Sequence, residues 1–142
     1  MDISTLFGPL ECQFLIGLGL SIILGYMIGA EREFRGKDAG ISTHILVITG
    51  AMLFTLLSKV VDPLSTSRIA SQIVVGIGFI GAGLILKEGA SVKNLTTAAS
   101  IWFAGAIGMA IGFGFYVIAV LAGLLSAVIP RVPHVHEKKQ GE

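Results

Sequence analysis

The chain has 142 residues, 54% of them hydrophobic and only 13% charged, with a formal net charge of +1. A soluble domain carries about 25% charge, so this composition excludes an ordinary water-soluble domain. The near-neutral balance gives no electrostatic case for binding nucleic acid. What remains is a polytopic membrane protein whose first partner is the lipid bilayer. The single cysteine, Cys12, excludes an intrachain disulfide.

A membrane-crossing helix needs roughly 20 apolar residues, and the chain accommodates five. The segment before Cys12 has no Lys or Arg, which a cleaved signal peptide requires, so the first apolar run is expected to be a retained helix. That run is residues 12–30. Gly17, Ser21, Gly25 and Gly29 fall four apart along it, and Gly25-x-x-x-Gly29 is the close-packing pattern of membrane helices. The face suits a neighbouring helix of the same chain or a second copy. Glu31 to Asp38 is a charged block expected in a loop or at the interface. Glu31 is expected either to be solvated or to pair with a basic residue in a polar pocket.

The second span covers 43–61. Its lone His44 reads as an interface residue, and Asp62-Pro63 ends it. Ser65, Thr66 and Ser67 offer cap chemistry for the third span, 68–86. Gly76, Gly78, Gly81 and Gly83 are expected to let this helix approach its neighbours closely. Their GxGxxG spelling lacks the strand and turn of a dinucleotide loop. Arg68 and Gln72, one turn apart, are expected to face other helices rather than lipid.

A polar turn, Lys87 to Lys93, then leads to Asn94, a plausible helix cap. The third and fourth spans are expected to form the pair around which the chain is built. Thr96, Ser100, Ala104, Gly108 and Gly112 form a second small-residue face. Residues 97–129 carry no charge and would make one helix of about 50 Å, so a turn is required; Gly112-Phe113-Gly114 is the best place for it. The fourth and fifth spans are thus 96–112 and 114–129, followed by a polar tail, 131–142. In that tail His134 and His136 make at most a weak metal site.

The expected architecture is an all-α five-transmembrane-helix bundle over 1–130. The basic residues cluster on alternate loops, with only Lys59 and Arg68 on the other side. The positive-inside rule then puts the N-terminus outside and the C-terminus in the cytoplasm. Glu31, Arg32, Arg35, Asn94, Thr96 and Thr97 are expected to converge on the cytoplasmic face, with Ser100 and Trp102 close by along the same helix. Arg68 and Gln72 lie near the outer face. No nucleophile–base pair, zinc motif or phosphate loop is present, so an enzyme is not expected.

Three motifs occur in order: EREFRGKDAGISTHILVITGAMLF from Glu31 to Phe54, RIASQIVVGIGFIGAG from Arg68 to Gly83, and LTTAASIW from Leu95 to Trp102. Together they resemble the N-terminal membrane domain of the MgtC/SapB family. The resemblance implies a five-helix membrane domain in a prokaryotic plasma membrane and a connection with magnesium limitation. It also implies links to virulence and, in some members, to restraint of the F-type ATP synthase. Mg2+ enters as a ligand or as a signal, and no other cofactor is implied. The best-known members carry a further ACT-like domain, expected to be missing here, and many have Gly where this chain has Asn94. Two functions follow as expectations: a regulatory protein that binds a membrane partner and forms a homodimer, or a Mg2+ or H+ transporter using the polar residues near the span ends.

Overall fold

Helices begin and end where the sequence interrupts its apolar runs. In the computed structural model, which describes residues 8–88 and 91–132, α1 is Pro9–Phe34, α2 Ile41–Val61, α3 Arg68–Leu84, α4 Leu95–Phe113 and α5 Tyr116–Val128. A 3-10 turn, Ile129–Arg131, extends α5. Asp62-Pro63 follows the last residue of α2, and Gly114, at φ +87°, closes α4. Among the described residues, four helices are long and apolar enough to cross a membrane. The fifth is shorter than the expected 114–129: its 13 residues reach about 20 Å, and the 3-10 turn adds roughly 6 Å.

Two boundaries differ from expectation. α1 runs past residue 30 and carries Glu31 and Arg32 within the helix. The polar turn after α3 contains an antiparallel hairpin, β1 (Leu86–Glu88) with β2 (Ser91–Lys93), in which Leu86 faces Lys93. Ile85 is already extended, which stops α3 at Leu84. Asn94 then turns the chain into α4 at φ +64°, the only positive φ outside glycine among the described residues. Asn tolerates this left-handed geometry better than other side chains that carry a Cβ.

The centre of the bundle is α2 with α4, not α3 with α4. Ile48 and Met52 of α2 are fully buried against Ile107 and Ile111 of α4, with Leu24 and Ile28 of α1 and Ala119 of α5 closing around them. A second apolar cluster joins α3 to this pair through Ala70, Ile73 and Ile77, packed with Ala51 and Ile101.

The small-residue faces explain the arrangement. A Cβ added at Gly25 would lie 2.7 Å from the Cα of Ile45 in α2, and Gly29 meets the backbone of Ile41. Gly17 faces Met52 and Ile111, and Ser21 is fully buried. On α4, Gly108 meets the backbone of Ile48, a Cβ at Gly112 would lie 2.6 Å from the carbonyl of Met52, and Ala104 is fully buried. The first face, and Ala104, Gly108 and Gly112 of the second, are consumed within the chain, whereas Thr96 is exposed. On α3 only Gly81 is covered, near Ala98, whereas Gly76, Gly78 and Gly83 have open space around them. Those three do not serve the close packing expected of them inside the bundle.

Candidate functional site at the charged end of the bundle

The C-terminal ends of α1 and α5 and the N-terminal end of α4 meet at one end of the bundle, and there the charged block folds inward. Arg32 lies on the inner face of the last turns of α1 and is only 2% exposed. Its Nη2 donates to the hydroxyl of Thr97, 2.8 Å away in the first turn of α4, while its Nε has no partner. A buried guanidinium persists only where its donors are met; Thr97, fully buried itself, supplies one acceptor.

Glu31 pairs with Arg35 one turn on, Oε1 to Nε 3.5 Å, and both its oxygens are buried without a hydrogen bond. Arg35 also donates to the carbonyl of Pro130, which ties α1 to the end of α5. The other two carboxylates of the block are engaged elsewhere. Glu33 accepts from the backbone N–H of Ile41 at 2.9 Å, and Asp38 accepts from the Asn94 side chain at 2.6 Å. Asn94 therefore anchors the α1–α2 loop instead of capping α4. His44 is fully buried, with Nδ1 2.9 Å from the carbonyl of Gly40.

Between these elements lies a cavity of about 770 Å3. Arg32, Arg35 and Lys37 line it with three cations, and Thr96, Ser100 and Ser126 with three hydroxyls. Trp102, Phe103, Ile129, Pro130 and Val132 supply an apolar wall. None of the carboxylates of the charged block lines it. The arrangement can hold an anion with an apolar attachment.

Of the residues expected to converge, Arg32, Arg35, Thr96, Ser100 and Trp102 meet at this cavity, Thr97 buttresses Arg32, and Glu31 and Asn94 stand just behind. Arg68 and Gln72 lie at the opposite end of α3. Both are exposed, so the expectation that they face other helices fails. Arg68 pairs instead with Asp62, Nε to Oδ2 3.1 Å. Its helix is joined to α2 by Ser58, which donates to the carbonyl of Thr66 at 2.6 Å and accepts from the N–H of Ala70 at 3.3 Å. The Ser67 side chain makes no cap bond. Sequence reasoning missed Lys37, Ser126 and Pro130. The last two belong to a helix whose return to α1 has no local signal; Lys37, two residues beyond Arg35 in the same block, had one.

Among the described residues, no group of three or more His, Cys, Asp or Glu is placed to hold a metal ion. His134, His136 and most of the polar tail lie outside the described residues.

Fold and site define a helical membrane protein with one polar, cation-rich end. A sequence profile of the MgtC family matches residues 18–138, and the chain belongs to that family. It is 42% identical to the protein named putative magnesium transporter YhiD of Escherichia coli K12, over 88% of this chain and 62% of that one. It is 45% identical to the protein named MgtC of Salmonella typhimurium LT2, over 79% of this chain and 48% of that one. An uncharacterized Synechocystis protein is 43% identical over 82% of this chain and 50% of its own length. The chain thus spans about half to three-fifths of the curated relatives it matches. No solved structure matches it.

Proposed function

We propose that this chain is the membrane module of a magnesium-linked regulatory protein in a prokaryotic plasma membrane. In this reading it acts by binding a membrane partner rather than by conducting ions or catalysing a reaction. The observation that carries the reading is the centre of the bundle. Ile28, Ile48, Met52, Ile107 and Ile111, each at most 1% exposed, fill the space between α1, α2 and α4. An ion crossing there would shed its hydration among these apolar side chains, which cannot replace it. The link to magnesium rests on the name of the YhiD relative. The positive-inside rule puts the end bearing Arg32, Arg35 and Lys37 in the cytoplasm.

The surface left for a partner is the outer side of α3. Gly76 and Gly83 are exposed two turns apart, with Phe79 83% exposed between them. A second copy of the chain, or a membrane complex such as the F-type ATP synthase, would dock there by close backbone approach. Cysteine crosslinking in native membranes, with one reporter on this face and a second on the outer side of α1, tests the reading. Crosslinks confined to α3 support it; equal labelling of both faces contradicts it.

Transport is the second reading. Glu31, whose two buried oxygens accept no hydrogen bond, is the carboxylate that favours it.

A further inference from the structure

The cavity at the charged end is lined by three cations and by no carboxylate. Of the three acids in the Glu31 to Asp38 block, Glu31 pairs with Arg35, Glu33 accepts from the Ile41 amide and Asp38 from Asn94, and none of them lines the cavity. Arg32 and Lys37 face the cavity with no carboxylate within ion-pair distance among the described residues. Arg32 is 2% exposed and its Nε has no partner. A buried, under-satisfied guanidinium is costly unless something accepts from it. The first turn of α4 adds to the same field. Its N-cap residue, Asn94, gives no side-chain cap bond, so the leading amides beside Thr96 keep their partial positive charge.

The opposite wall is apolar. Trp102 is 50% exposed, Ile129 54% and Val132 62%, so the cavity opens onto apolar surface that a bilayer would cover. Tryptophan favours the level of the lipid headgroups. A site with cations and hydroxyls at its base and an open apolar flank at the membrane boundary fits a phosphate ester carrying an acyl chain better than a small free anion.

We infer that this cavity binds the headgroup phosphate of an anionic phospholipid, held by Arg32, Arg35 and Lys37 with Thr96 and Ser100, while an acyl chain runs out past Trp102. This goes beyond the partner-binding reading and stands whether or not ions cross the bundle.

Trp102 is the only tryptophan of the chain, so its fluorescence reports on the site. The full chain is reconstituted in phosphatidylcholine nanodiscs, and quenching by brominated phosphatidylglycerol is compared with quenching by brominated phosphatidylcholine. The expected result is a preference for the anionic lipid of at least about ten-fold, lowered roughly five-fold in Lys37→Gln, the worth of one cation near a lipid surface. Arg131→Gln removes an exposed cation at the same end that does not line the cavity and should leave the preference unchanged. Lys37→Gln is the decisive variant because its side chain is exposed, whereas Arg32→Gln disturbs a buried contact. Equal quenching by the two lipids overturns the inference. So does an equal fall in the Lys37 and Arg131 variants, which would mean diffuse surface charge. Displacement of the anionic lipid by millimolar inorganic phosphate, but not by chloride at equal ionic strength, would assign the site to a free phosphate and overturn the lipid source.

Discussion

The guanidinium of Arg32 and the hydroxyl of Thr97, 65 positions apart, meet at 2.8 Å inside the protein and join the end of α1 to the start of α4. A hydrogen bond from a charged donor contributes about 1.5–3 kcal/mol. Thr97→Val should therefore lower stability by about that much, while Thr97→Ser should stay within roughly 1 kcal/mol. Thermal unfolding in mild detergent checks both. Arg32→Lys should not restore the wild-type midpoint, because a compact ammonium cannot reproduce the guanidinium's spread of donors.

The glycine faces should divide sharply on substitution. A methyl group at Gly25 has no room against the Ile45 backbone, and one at Gly112 none against Met52. Gly25→Ala and Gly112→Ala should each cost about 1–3 kcal/mol as the helices are pushed off their α2 contacts. Gly19→Ala and Gly76→Ala, with nothing within 4 Å, should be neutral or slightly stabilising. The order of unfolding midpoints across these four variants is the check.

Association should respond to a different set. Gly83→Leu should leave the monomer's unfolding midpoint unchanged and abolish crosslinking through α3. Gly108→Leu should damage the fold itself, because Gly108 abuts the Ile48 backbone. If Gly83→Leu crosslinks as the wild type does, α3 is not the docking face.

Asn94 sits at φ +64° and holds Asp38 through its side chain. Asn94→Gly should cost no more than about 1 kcal/mol, the worth of one hydrogen bond. Asn94→Val should cost more, because a β-branched residue resists the left-handed region. The geometry also accounts for the glycine that the family resemblance suggests at this position. Comparing unfolding midpoints of the two variants tests the assignment.

The course of the chain was legible because apolar runs, Asp62-Pro63 and the glycines around Phe113 are local signals. The direction of each face was not. Spacing of four marks a helix side that can pack closely, but it does not say which side is covered. Gly25 and Gly108 are covered by α2, whereas Gly76 and Gly83, with the same local chemistry, face outward. The convergence of Arg32 with Thr97 was legible, but not that Arg32 is buried within the last turns of α1 and donates to that hydroxyl. Gln72 was expected to face inward because polar side chains avoid lipid, yet α3 buries Ala70, Ile73 and Ile77 instead. The cavity had no local signal as a whole, since its wall comes from the end of α5.

The most direct test of the closed bundle is ion flux. The purified chain is sealed in liposomes loaded with a Mg2+ indicator or a pH indicator, beside a known channel as a positive control. The account predicts no Mg2+ or H+ entry above protein-free liposomes, for the wild type and for Glu31→Gln alike. Flux in the wild type that is lost in Glu31→Gln would contradict it and make the buried carboxylate part of a pathway.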